Sequence, residues 1–327
     1  MNSTIKLFAL IILIFSCNEI HSQEGKYFCP PCPTDCHTER YEHPGTCPTC
    51  EMTLVIKTPH EIFEGYKRLP IQIKSGDINL NAAYYTPMNG STSNVTVVIA
   101  HGSAPTTYDD VAYYTNIATK LGMSVLAFDK RGCGESEGTY QYFTVEGSKD
   151  WFNFLAQDVN ACVNWLKNQP EIENQKIGLL GGSQAGWIMP LAASKNPVVD
   201  FIITGEGAAV SAGEEAFHSD LTGDGSGNGI PIKEADKKLK MFDGERGFDP
   251  RNILENLNAK TLWIFGTMDD VIPVDASIEA LNKINNDNFE IITLPYGDHN
   301  FYNVETEIRY DLTKYIEPWL IKIGVLN

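Results

Sequence analysis

Six short runs of apolar and β-branched residues recur along this chain, and what separates them decides its fold class. VTVVIA (95–100), SVLAFD (124–129), KIGLL (176–180), VVDFIIT (198–204), TLWIF (261–265) and FEIITL (289–294) show almost no alternation with polar residues. A strand that reads apolar on both faces is buried on both faces, as in a parallel sheet covered by helices. Segments with helical spacing separate or follow most of them: DDVAYYTNIATKLG (109–122), WFNFLAQDVNACVNWLKN (151–168), and patterns around 184–194, 275–285 and 304–323. Strand and helix in alternation, with no internal repeat, predict a doubly wound, mostly parallel α/β sheet with helices on both faces. Before them, LPIQIKS and INLNAAYYT alternate apolar with polar, which predicts a half-exposed antiparallel pair. With 327 residues and 43% apolar content, the chain fills one sizeable core and has little left for a second.

Residues 208–250 break the rhythm with one or two helical patterns and the Gly-rich loop DLTGDGSGNG (220–229). An insertion there, over the strand ends, is expected to act as a lid, with Phe217 and Met241 as candidates to line an acyl pocket. The loop resembles a calcium loop only faintly, because Pro231 stands where the bidentate Glu belongs.

GLLGGSQAGW (178–187) puts Ser183 in a sharp turn between an apolar strand and a helix. A nucleophile elbow needs small residues two before and two after the serine, where helix and strand approach closely. Gly181 and Ala185 meet that need. A serine hydroxyl is a poor nucleophile until a base removes its proton, and the base is usually a histidine oriented by a carboxylate. Of seven histidines, four lie at or before residue 60; His101, His218 and His299 remain. In an open α/β sheet the catalytic groups lie on loops after strand ends, in the order Ser, acid, His, which selects His299 in LPYGDHNF. TLWIFGTMDDVIPV offers Asp269 and Asp270 as the acid; Asp269 is preferred in its G-x-x-D turn, and Asp298, next to the histidine, would reach its ring poorly. Two backbone N–H donors are needed for the oxyanion: that of Gln184, after the nucleophile, and that of Ser103 in HGSAP, with His101 bracing the loop. Asp129 and Arg131 in FDKRGCGES are read as a structural turn.

VVIAHGS, LAFDKRGCGESEG, IGLLGGSQAGW, LWIFGTMDDVIPV and LPYGDHNF, in this order, resemble the α/β-hydrolase superfamily, and within it the exported esterases and the branch related to prolyl oligopeptidases. The resemblance spans about residues 61–327. It implies the α/β-hydrolase fold and an acyl-enzyme mechanism on esters, thioesters or amides, with no metal or organic cofactor for catalysis. A small-molecule ester is the expected substrate. Peptides or acyl-peptides are the alternative, although the roughly 250-residue propeller that gates many such peptidases has no counterpart in the sequence.

The chain opens on MNSTIKLFALIILIFSCNEI, where Lys6 precedes nine apolar residues, too few to span a bilayer that needs about 20. Residues 1–16 therefore read as an export signal. LIFSC resembles a lipobox, which would make Cys17 a lipid anchor in a periplasmic lipoprotein; plain cleavage near Ser22 would release a secreted protein. Apart from such an anchor, a net charge of −17 argues against anionic membranes and against nucleic acid.

Residues 26–56 hold five of the eight cysteines among prolines and too few large apolar residues for a core, so the unit needs staples. Cys29-x2-Cys32 and Cys47-x2-Cys50 are two knuckles suited to a tetrathiolate zinc or other heavy-metal site, with disulfides as the alternative in an oxidising compartment. The stretch also resembles the short heavy-metal-binding domain of metal efflux proteins, matching at Tyr27, Cys29, Pro30, Pro44, Gly45, Cys47, Pro48, Cys50, Met52 and Leu54. If the hydrolase-like part were silent, the protein would be a metal-binding surface lipoprotein.

Overall fold

The computed structural model describes residues 27–28, 40–49, 54–56, 65–88, 93–172, 174–226 and 228–326. The signal-like segment 1–16, Cys17, and three of the four candidate metal ligands, Cys29, Cys32 and Cys50, lie outside them. Within the Cys-rich stretch, β1 (Tyr27–Phe28) pairs antiparallel with β2 (Arg40–Tyr41) and with β3 (Val55–Ile56). Cys47 is buried, with its Sγ 3.7 Å from the Tyr41 hydroxyl. Among the described residues no group of three or more His, Cys, Asp or Glu is arranged to hold a metal, and no helix is long and apolar enough to cross a membrane.

The main sheet starts with a hairpin. β4 (Tyr66–Ser75) and β5 (Ile78–Pro87) pair antiparallel across Gly76 and Asp77, and Gly76 takes φ 58, the sign that a two-residue hairpin turn demands. Six parallel strands follow: β6 (Val95–Ala100), β7 (Ser124–Phe128), β8 (Lys176–Gly182), β9 (Phe201–Gly205), β10 (Lys260–Gly266) and β11 (Phe289–Leu294). Their order in the eight-stranded sheet is β11-β10-β9-β8-β6-β7-β5-β4. The expected doubly wound sheet is therefore what the chain forms.

Side chains alternate between two cores, as the pleat requires. Val98, Leu126, Leu179, Ile202 and Trp263 point into one, against α2 (Ser148–Lys167), α3 (Ala185–Lys195), α6 (Arg251–Glu255) and α7 (Val274–Ile284). Val97, Val125, Leu180, Ile203 and Leu262 point into the other, against α1 (Ala112–Lys120) and α8 (Thr313–Lys322). α2 buries Trp151, Phe152, Leu155, Val159, Val163 and Leu166 along one face. At about 1.5–3 kcal/mol for each large apolar side chain, that face outweighs the ~1 kcal/mol of the side-chain N-cap this helix does without.

Three local expectations change. FEIITL is not buried on both faces: β11 is an edge strand, and five of its six residues keep some exposure because no strand among the described residues pairs beyond it. β9 starts at Phe201, so Val198 and Val199 precede the strand. The helix expected over 304–323 forms only from Thr313, since residues 298–310 are pulled into a loop by bridges Gly297–Asn303 and Tyr302–Arg309.

Residues 208–250 contain α4 (Ala212–Thr222) and α5 (Ile232–Leu239). A capping box at Ser211 and Glu214 starts α4. Its far end docks on the loop after β10, where the Thr222 hydroxyl donates to Asp270 O and Gly225 lies against Val271.

Candidate active site

The sheet order places the switch point between β6 and β8. From β6 the chain moves toward β7, and from β8 it moves toward β9, so the loops after these two strands diverge and leave a crevice. Ser183 sits there, between the end of β8 and the start of α3, with φ 56 in the left-handed region that a serine rarely adopts. Its N–H donates to Gly205 O at 2.9 Å, which pins the turn to the neighbouring strand. The small residues expected around it are sterically required. A Cβ on Gly181 would stand 2.5 Å from Ala100 O and 2.9 Å from the Ala185 Cβ, and one on Gly186 would stand 2.5 Å from the Gly207 Cα. The glycine that follows Ala185 is thus needed for packing as well.

The loop after β6 lies beside this turn: a Cβ on Gly102 would be 3.7 Å from the Ser183 Cβ. Three successive carbonyls of that loop are held from below. Lys130 Nζ donates to Gly102 O at 2.5 Å and Ala104 O at 2.8 Å, and the Tyr140 hydroxyl donates to Ser103 O at 2.6 Å. Among the described residues, neither Ser103 N–H nor Gln184 N–H donates a hydrogen bond to the protein. Burial draws the Lys130 amine down to about 7. His101 is neutral, its ring drawn down to about 3 by burial and then by the Lys130 charge, and its Nε2–H donates to Phe128 O at 2.7 Å. It ties the ends of β6 and β7 together and lies in the loop's support.

Asp269 and His299, 30 residues apart in sequence, meet. His299 Nδ1–H donates to Asp269 Oδ2 at 2.8 Å, while Asp269 Oδ1 accepts from Val271 N–H at 2.8 Å and Ile272 N–H at 2.9 Å. This tautomer leaves His299 Nε2 with its lone pair. Burial alone would raise the Asp269 carboxyl, but the His299 charge and hydrogen bond, with those backbone donors, hold it below its usual range. Burial likewise opposes a charged His299; the Asp269 charge and hydrogen bond, and then Asp298 and Asp270, lift it to about 9. Asp298 does not bond the ring and instead ties its own loop, accepting from Asn300 N–H and Tyr302 N–H. The loop is further seated by Phe301, whose ring fills the space a Cβ on Gly205 would need.

His218 is elsewhere: fully buried, it bonds Asp236 at 3.2 Å and joins α4 to α5. Met241 is 76% exposed, and Phe217 packs against Phe242 with the rings tilted, 5.4 Å between centroids. Asp129 accepts from Asn81, Tyr108 N–H and Glu135 N–H, and Arg131 pairs with Asp158 of α2, so the FDKRG turn is held by two separate anchors.

Residues not anticipated also face the site. Glu206 follows β9 directly, is 1% exposed, accepts from Gly266 N–H, and faces Asp269. Glu215 of α4 is nearly buried and lies within the field of His299 and Asp269; burial first, then Asp224, push its carboxyl up to about 8. Lys130 could have been noticed as a charge directly after a buried strand, and Glu206 as one between two glycines at such a strand's end.

The sequence profile described as "Prolyl oligopeptidase family" matches residues 110–322. The chain is 28% identical over 115 residues to the "Uncharacterized 31.7 kDa protein in traX-finO intergenic region" of Escherichia coli, which covers 35% of this chain and 38% of that protein. It is 33% identical over 97 residues to the thiohydrolase aneE of Aspergillus aculeatus, 30% of this chain and 29% of that protein. The chain thus matches well under half of the length of these curated relatives. Among solved structures it resembles the Pyrococcus furiosus esterase Pf2001, with 20% identity and a TM-score of 0.57 over 88% of this chain and 97% of that one. Likeness at that identity concerns the fold, which is that of the α/β-hydrolases.

Proposed function

The chain belongs to the prolyl oligopeptidase family, and from that premise we propose that it is an exported, serine-dependent hydrolase of carboxylic esters that works through an acyl-enzyme. The observation that carries the reading is the His299 Nδ1–Asp269 Oδ2 hydrogen bond of 2.8 Å, formed on loops after β11 and β10, with Ser183 on a strained turn after β8. His299 Nε2 takes the Ser183 proton as the hydroxyl attacks the acyl carbon. Negative charge then develops on the carbonyl oxygen, and the N–H groups of Ser103 and Gln184 stabilise it, each worth roughly 2.7–4 kcal/mol in comparable sites. Collapse of this intermediate releases the alcohol, protonated by His299, and a water repeats the sequence on the acyl-enzyme. An ester suits the arrangement because an alkoxide leaves with less help from an acid than an amine does.

The Ser183→Ala variant should be folded and devoid of turnover of short p-nitrophenyl esters, and a fluorophosphonate should label wild type at Ser183 alone. Wild-type turnover by the alanine variant would end the proposal. The 33% match to a thiohydrolase favours thioesters as a second reading, and family membership favours amides as a third. Matched acyl esters, thioesters and anilides compared by kcat/KM rank the three.

A further inference from the structure

Asp269 has a second carboxyl group at its back. Glu206 is placed there by the backbone: it takes φ 49 directly after β9, its N–H donates to Ile264 O at 2.9 Å, and its Oε1 accepts from Gly266 N–H at 2.6 Å. Its side chain also faces Asp269, and no N–H or O–H among the described residues donates to its buried Oε2. Both carboxyls are buried, at 1% exposure each.

Two buried carboxyls that face one another do not both ionise, and an oxygen that receives no donor is where a proton is kept, so one of the two stays neutral. The donors around each group decide who holds it. Asp269 receives three N–H donors, one of them from His299, whereas Glu206 receives only that of Gly266. The anion therefore belongs on Asp269 and the proton on Glu206. We propose that Glu206 is a positioning residue that works as a neutral carboxylic acid, its Oε2–H donating to Asp269 and fixing the carboxylate that orients His299.

The surroundings agree. Burial, and then the Asp269 charge, push the Glu206 carboxyl well above the usual carboxylate range. The titratable groups that face it are Asp269 from the loop after β10, Asp298 with His299 beyond it from the loop after β11, and Tyr113 and Tyr114 of α1; Glu215 of α4 faces the His299–Asp269 pair from the insertion.

The inference rests on the reading of Ser183, Asp269 and His299 given above. Its test compares E206Q with E206L in ester hydrolysis from pH 5 to 10, alongside S183A. The Gln amide accepts from Gly266 N–H and donates to Asp269 as the acid does, so E206Q should keep the wild-type kcat and leave the acid limb of kcat/KM unmoved. E206L keeps bulk without the donor; its kcat should fall by about 10- to 100-fold at little changed KM, as when a partner behind a working group is removed, and its acid limb should move to higher pH. An acid limb shifted down by about one pH unit in E206Q would mean that Glu206 is an anion in the native site and would overturn the proposal. So would an E206L variant with wild-type rates and profile. Should E206L fail to fold by circular dichroism, the E206Q profile decides alone. Turnover by S183A would instead remove the underlying reading, and an inactive S183A with an unaffected E206L removes this inference only.

Discussion

Replacing Asp269 by Asn exposes how the buried anion governs its histidine. The amide oxygen can keep the Val271 and Ile272 N–H bonds, but the NH2 group then faces His299 Nδ1, where Oδ2 accepts at present. The ring has to offer a lone pair at Nδ1 and carry its proton on Nε2, the atom that must accept from Ser183. The variant also loses the charge that does most to lift His299 from 6.5 to about 9, with Asp298 and Asp270 adding the rest. That lift corresponds to about 3 kcal/mol of imidazolium stabilisation. In wild type the base must be neutral, so kcat/KM should climb roughly tenfold per unit as the pH approaches 9 and then level. In D269N the acid limb should fall to about 6.5 or below, on a plateau lower by about 10⁴. The deficit of the variant therefore widens between pH 6 and pH 10. Initial rates on a short phenyl ester, at concentrations far below KM, measure it. An acid limb that stays at the wild-type position in D269N would refute the assignment of that limb to the His299–Asp269 pair. The sign for stability follows from the same raised pKa: the pair's contribution is complete below about pH 6.5 and fades as the pH rises through about 9.

Lys130→Met removes the donor that holds Gly102 O and Ala104 O, and kcat should fall by up to the ~10²–10³ of an oxyanion donor. Because the Lys130 amine titrates lower in the fold than in the unfolded chain, wild-type stability should rise from about pH 7 toward 10.5, and denaturant melts of K130M should lack that rise. Gly181→Ala puts a methyl against Ala100 O and Ala185, neither of which can yield, and should cost about 1–3 kcal/mol in thermal unfolding; A185G should be far milder. For the Cys-rich unit, metal analysis with thiol titration should find bound metal and four thiols released by a chelator; four blocked thiols without metal would mean disulfides.

Much of this fold is legible in a line of letters because burial on two faces leaves a local mark. VTVVIA and SVLAF announce central strands whose every residue is buried. FEIITL carries the same mark and is an edge strand, since composition records apolar character and not the number of neighbours. Small residues around Ser183 are likewise a local demand, made by the close approach of β8 and α3. The place of Glu206 between two glycines at a strand end is legible, but its role is not: a lone carboxylate in TGEG says nothing of a second carboxylate 63 positions later.

The sequence alone determines the alternation of strand and helix, and the order in which a serine, an acid and a histidine follow strand ends. Those are properties of neighbours along the chain, set by periodicity and by the φ a turn demands. Which of Asp269, Asp270 and Asp298 touches His299 was decided only when β10 and β11 lay side by side, which put Asp269 Oδ2 2.8 Å from the ring and left Asp298 capping its own loop. Lys130 under the loop after β6 and Glu206 behind Asp269 have the same origin. Hydrogen bonding and charge act through space, and the distances they depend on exist only once the sheet has assembled.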